Sequence, residues 1–560
     1  MKNSTRVLIV LLVIAAMIIP RVADLVTFTA ADEPFWLVVG ANYYYALTHR
    51  EFENTVYEYH PAVTTMWIVT AAMLIYFPEY RGIMNGYFQQ EKTSFDSYLV
   101  KHGKDPLALL WWSRLIQTLV NVALFIIAFL LLRYLLGEWI ALNALLLASF
   151  APYLFGQSRM LNHESMVGLF SLITILAMAS YLFRGRKLMF LFLSAAAAAL
   201  ANLTKSSSIV LVPVVSCIIL VWAVMEWRMK TKLWLVFWNA IKILSIWLFA
   251  LMIIYVIVWP GMWVAPGKML YEVYGNAFSY AFQGARLSIT EELEPSSYSL
   301  DSAGQGITSF LVSIAWRTTP ITWIGLILAI ILLFNRNRKI IPPLAKWLVA
   351  FLLLEAFASI SMFGIIQGRN SPHYVLAAYY SFEITAALGW AYALRWLSLR
   401  FEWARHPMTQ VAMLLLILLM QTWGLFYTNP YYYTYLNPIM VSANRTNLPR
   451  FFYGERMEQA AGYLSAKPDA QDLTALVYFG RSFSYYFPGH TLLFAPVLFG
   501  DIPQLIEKLR EADYLVMYAG LEERLPLLKE MTPEHVIELN GREYVQIYRV
   551  SDVPSSFYSE

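Results

Sequence analysis

A single cysteine, Cys217, stands in 560 residues, and it falls inside an apolar run. No intramolecular disulfide can form, so any part folded outside a membrane must hold together by packing alone. Charge is scarce as well. Asp, Glu, Lys and Arg make up 14% of the chain, and no basic stripe with interleaved aromatics points to nucleic acid. Local metal-ligand motifs of the HExxH or CxxC kind are missing, and no internal repeat of the sort found in many transporters is detectable. What remains is apolar: 59% hydrophobic residues and a mean hydropathy of +0.53 exclude an ordinary soluble domain and fit a polytopic α-helical membrane protein.

Apolar segments of roughly membrane-spanning length, about 17 to 25 residues, recur near 7–27, 61–78, 110–132, 139–157, 165–183, 188–203, 206–225, 234–258, 307–334, 342–363, 375–394 and 408–428. The connections between several of them carry Arg184, Arg186, Lys187, Arg336, Arg338 and Lys339, which places those loops in the cytoplasm. The alternate loops then face outward, including a first outer loop at 28–60 and a large one at 259–305. Lys2 and Arg6 argue for an inside N-terminus and the tail is expected outside, so an odd number of crossings is required. One segment therefore does not cross, and mixed charge in the loop after Trp67 puts the fault within 61–157. The opening run, 7–19 behind Lys2 and Arg6, reads as a retained first helix in preference to a cleaved signal peptide. The expectation is a multi-pass protein of the cell membrane with about 11–12 apolar helices over 1–430.

From about 445 the composition turns soluble, and 445–560 is expected as a small extracytoplasmic α/β domain. Helical stretches at 455–466 and 502–512 alternate with apolar runs at 473–479 and 513–518. Two alternating runs around Asn540-Gly541 predict a closing hairpin. No nucleophile and base are grouped there, and the tail reads as a lid or docking domain.

Four groups carry possible chemistry. Asp32 and Glu33 follow the first segment, in a loop rich in aromatics; they are either solvated loop acids or part of a site. Ser158-Arg159 and His163-Glu164 fall on the same expected side, so acids on separate loops can converge. Lys205 ends a Leu-Thr-Lys turn, where a lysine either snorkels or binds an anion. Arg369 and His373 lie at the outer end of a late segment, and Arg forks with Lys ammoniums suit a phosphate. Loop aromatics can stack on a sugar, although aromatics at this level commonly form the interfacial belt.

The order of an Asp-Glu after the first helix, His60-Pro61 about 28 residues later, Ser-Arg-x-x-x-x-acid, Leu-Thr-Lys and a late His-Tyr resembles the GT-C glycosyltransferases of the protein O-mannosyltransferase and aminoarabinose transferase type. The resemblance covers residues 1 to about 430. Tyr435-Leu436-Asn437-Pro438 and the tail are similar to the C-terminal region of the bacterial phospholipid carrier-dependent glycosyltransferases. It implies an inverting transfer of a sugar from a polyprenyl-phosphate donor to a hydroxyl acceptor, on protein, lipid or glycan, at the outer face. Asp32 matches the presumed general base of the family. Glu164 falls where the family usually has Asp and is the second catalytic candidate. His60 occupies the position before Pro that lies near the donor phosphate, and Lys205 matches the Leu-Thr-Lys lysine. Phe35 departs from the aminoarabinose enzymes, which carry Arg there, so other groups must supply that charge. With Glu33, Arg159, Arg369 and His373, these residues make up the expected binding set.

The sequence requires no cofactor. A divalent metal ion is left open, because His60, His163, His373, Asp32 and Glu164 all face outward in this topology. Two rival readings remain: a membrane transporter, and an outer-face glycan ligase or polymerase using diphosphate-linked donors. The acids and cations gathered at segment ends disfavour the first, and the Asp-Glu after the first helix disfavours the second.

Overall fold

The structure, a computed structural model, describes residues 3–57, 60–83, 86–88, 94–229, 231–283, 300–365, 371–444 and 448–559. Apolar composition dictates helices, because a buried or lipid-facing backbone must satisfy its own hydrogen bonds. Helices long and apolar enough to cross a membrane are Pro106–Leu136, Glu164–Phe183, Ser206–Arg228, Leu233–Val258, Pro343–Ile365 and Pro407–Thr428. Shorter apolar helices occupy Leu12–Val22, Val63–Tyr76, Glu138–Ser149 and Leu188–Thr204. Helix Leu376–Arg400 completes the bundle.

Two expected segments are broken. The run at 139–157 is a helix Glu138–Ser149 of 12 residues, then a separate short helix Pro152–Gln157. At 1.5 Å per residue the first part is about 18 Å long, short of a bilayer core of about 30 Å. The run at 307–334 is two helices, Gly306–Arg317 and Pro320–Phe334, bent by 117°. Pro320 cannot continue the preceding hydrogen-bond ladder, and the Thr319 hydroxyl instead caps the second helix by accepting from the Thr322 N–H at 3.1 Å.

Helix Glu164–Phe183 is the centre of the bundle, with 94% of its apolar window buried. Glycines let its neighbours approach closely. A Cβ on Gly168 would lie 2.3 Å from the Tyr380 ring, and one on Gly389 would lie 2.0 Å from the Gly325 carbonyl oxygen. Chain order collects the loops 150–163 and 205–210, residues 371–375 and the tail at one end of the bundle. The basic loops at 184–187 and 335–339 lie at the other.

The tail is a five-stranded sheet in the order β2-β1-β3-β5-β4, with β1 Thr474–Tyr478, β2 His490–Phe494, β3 Tyr514–Tyr518, β4 His535–Glu538 and β5 Glu543–Arg549. Strand β1 runs parallel to β2 and β3, and β5 is antiparallel to β3 and β4. Asn540 and Gly541 take φ of 55° and 73°, the paired left-handed conformation of a tight hairpin turn. Strand β2 has no counterpart in the sequence reading, because its alternation is weak and its outer residues are half-buried.

Candidate active site

Asp32 stands at the N-cap position of helix Glu33–His49, exposed, with its side chain free of the helix N–H groups. It is held from the tail instead: the Tyr453 phenol donates to Asp32 Oδ2 at 2.7 Å. Oδ1 has no hydrogen-bond partner among the described residues. Burial, then the neighbouring Asp32 carboxylate, pushes the Tyr453 phenol well above its usual range. It therefore keeps its proton and remains a donor. Backbone contacts fix this arrangement, since the Ala31 N–H donates to the Tyr453 carbonyl at 3.0 Å and Gly454 packs so close that a Cβ would lie 2.4 Å from the Thr29 oxygen.

Glu33, the adjacent acid, faces the other way. It is 1% exposed. Arg114 Nε donates to Oε1 at 2.6 Å and Arg114 Nη2 donates to Oε2, while the N–H groups of Leu161 and Ala30 each donate at 2.7 Å. The fork of two charge-assisted bonds with two backbone donors fills the carboxylate. Glu33 thus ties the first loop to helix Pro106–Leu136 and to the loop before Glu164, and no oxygen is left to meet a substrate.

Glu164 opens the central helix and is 3% exposed; Lys205, at the end of helix Leu188–Thr204, is 2% exposed. The Lys205 ammonium donates to Glu164 Oε1 and lies 4.4 Å from the centroid of the Tyr374 ring and 5.2 Å from that of Phe363. The second catalytic candidate and the lysine of the expected binding set thus form one buried ion pair. His163 Nε2 lies 3.2 Å from the same Glu164 oxygen, its ring edge-on to Trp36 and 5.0 Å from His60. His373 packs on Tyr453 at 5.7 Å and lies in the field of Glu164, Lys205, Asp32 and His163. Burial, only partly opposed by Glu164, pushes its imidazole down to about 4, so it is neutral at pH 7.

Asp32, His60, His163, Glu164, Lys205 and His373 therefore gather at one end of the bundle, around Tyr453. Arg159 does not join them: its guanidinium donates to the Ala23 carbonyl and stacks 4.9 Å from the Tyr432 ring centroid. Arg369 lies outside the described residues. No group of three or more His, Cys, Asp or Glu side chains among the described residues has an arrangement fit for a metal ion, and Glu164 is already engaged by Lys205.

No protein-family model matches the chain, and no curated protein matches it. Solved structures do. The chain is similar to ArnT and AglB. ArnT from Cupriavidus metallidurans, bound to undecaprenyl phosphate, is 12% identical over 99% of both chains with a TM-score of 0.44. The Archaeoglobus fulgidus oligosaccharyltransferase in its apo form is 13% identical over 92% of this chain and 69% of that one, at 0.43. The archaeal oligosaccharyltransferase AglB from the same organism, in complex with an inhibitory peptide and a dolichol-phosphate, is 12% identical over 94% and 71%, at 0.42. The chemistry rests on the side chains.

Sequence reading missed Arg114, Tyr453 and Arg317. Arg114 and Arg317 had a usable signal, since each is a lone cation in or against an apolar run, where an ionisable residue is costly and has a partner or a task. Tyr453 had none: a tyrosine among Phe451 and Phe452 shows its role only once the tail is docked. A cavity of about 450 Å³, lined by Tyr427, Leu436, Phe451, Leu539 and Arg542 among others, lies between the last helix and the hairpin and shares no residue with the cluster.

Proposed function

We propose that the protein is an inverting glycosyltransferase that moves a sugar from a polyprenyl-phosphate donor to a hydroxyl acceptor at the outer face of the cell membrane. The observation that carries this reading is the carboxylate of Asp32, with Oδ2 held by Tyr453 and Oδ1 open, beside the buried pair of Glu164 and Lys205. Support also comes from the position of this end of the bundle, opposite the basic loops, and from the order of motifs along the chain.

In this reaction the acceptor oxygen attacks the anomeric carbon while Asp32 Oδ1 takes its proton. The bond from that carbon to the phosphate oxygen breaks, and its electron pair leaves on the polyprenyl phosphate. A single displacement inverts the carbon. Charge grows on the departing phosphate, which favours fixed donors around it. Lys205 supplies one by sharing its ammonium between Glu164 and the phosphate, and His60 and His373 supply imidazole donors. Glu164 positions Lys205 and, through it, the donor.

The test is to incubate the purified protein with a panel of radiolabelled polyprenyl-phosphate sugars and membrane extract. Label should pass from one donor to a hydroxyl acceptor with inverted configuration. Transfer from diphosphate-linked donors alone would contradict the reading.

A further inference from the structure

The buried cations of the described chain are Arg21, Arg114, Arg159, Lys205 and Arg317. Four of them donate hydrogen bonds: Arg21 to Ser158, Arg114 to Glu33, Arg159 to Ala23 and Lys205 to Glu164. Arg317 differs. It closes the helix that precedes the 117° bend and is 7% exposed, yet it has no hydrogen-bond or ion-pair partner among the described residues, and its Nε is buried without an acceptor. Only aromatic faces meet it, Phe451 of the tail at 5.0 Å and Tyr153 at 5.7 Å from the guanidinium carbon. A buried guanidinium N–H without an acceptor is costly, and such a group calls for an explanation.

A second observation lies beside it. Tyr379, in the first turn of helix Leu376–Arg400, is 1% exposed, and its hydroxyl also has no partner among the described residues. Its ring packs 5.0 Å from that of Tyr153, and it lies in the field of Arg317. The next residue, Tyr380, meets the Ser165 hydroxyl at 2.8 Å, one residue after Glu164, which brings this part of helix Leu376–Arg400 to the active-site cluster. Two buried donors, the Nε–H of a permanently charged side chain and a phenol, thus flank the Tyr153 ring, and neither has an acceptor among the described residues. The planar fork of Arg matches a phosphate, and the aromatic walls suit an isoprenoid chain.

We propose that Arg317 and Tyr379 form the anion site for the phosphate ester of the donor lipid. The inference rests on the proposed function and assigns it a donor-binding pair that the motifs do not contain. It adds donors to Lys205, which also serves Glu164, and to the imidazoles of His60 and His373.

The test is binding by the full chain in detergent, read as thermal stabilisation against concentration, with a polyprenyl monophosphate, dioleoyl phosphatidylglycerol and inorganic phosphate as separate probes. Wild type should be stabilised by the polyprenyl phosphate. Arg317→Met should bind it roughly 10- to 100-fold more weakly, the loss expected for hydrogen bonds to a charged group, and Tyr379→Phe should bind it more weakly by a smaller factor. Without ligand, Arg317→Met should melt no lower than wild type, because an apolar side chain of similar size replaces an unpaired buried charge. Equal affinity in wild type and both variants would overturn the assignment and leave the transferase reading standing. An Arg317-dependent shift with phosphatidylglycerol but not polyprenyl phosphate would also overturn it, marking a headgroup site. No stabilisation of wild type by polyprenyl phosphate would remove both the site and the donor reading.

Discussion

Asp32 and Glu33 are neighbours in sequence with opposite environments, and the difference fixes what each substitution does. Glu33→Ala strands the Arg114 guanidinium among the carbonyls of Leu25 and Phe28, and removing one partner of a buried ion pair costs about 3–5 kcal/mol. The expected outcome is a large fall in melting temperature before any substrate is added. Asp32→Asn removes no buried contact and should melt close to wild type. The pair itself was visible in the sequence. Which acid is buried was not, because that depends on Arg114, 81 residues away, and on the backbone N–H of Leu161. Pairing Lys205 with Glu164 was hidden for the same reason. Each residue type suggested a role, but only the packing of the central helix against helix Leu188–Thr204 brings the two side chains together.

At the scale of elements, apolar runs announce helices, while their breaks and closest contacts follow from tertiary packing. Thr319-Pro320 was a legible stop signal inside 307–334; the break after Ser149 had only Pro152 to mark it. Beyond the break, a buried cluster fastens the second helix: the Thr322 hydroxyl donates to Glu383 at 2.9 Å, and Gln421 Nε2 donates to the same carboxyl at 3.1 Å. The close pass of Gly325 and Gly389 completes the joint. Gly389→Val drives a side chain into the Gly325 backbone, which cannot move aside as a flexible side chain would, so the cost is about 1–3 kcal/mol or more. Gly267→Ala, with nothing within 4 Å of the added carbon, should be neutral. Melting curves of the two variants check the contrast, and equal stability would show that helix Leu376–Arg400 is not packed as described.

For the whole molecule, the tail is docked onto the segment that carries Asp32. Tyr453 holds Asp32, the Tyr486 phenol donates to the Val26 carbonyl at 2.9 Å, and Arg481 and Tyr485 both reach Asp96. The sequence showed the tail as an α/β unit with its hairpin, since turn chemistry and alternation are local signals. Its place over the site was not legible, because the contacts are single hydrogen bonds between residues hundreds of positions apart. Truncation after residue 444 should leave the helical part inserted yet lower transfer more than the loss of any one docking contact. Comparing the truncated protein with Tyr486→Phe in the same transfer assay checks this. The central claim, that Asp32 is the base of a glycosyl transfer, is tested most directly by the turnover and donor affinity of Asp32→Asn in nanodiscs. The account predicts a fall in turnover of about 10²–10⁴-fold with donor affinity preserved; near-normal turnover would contradict it.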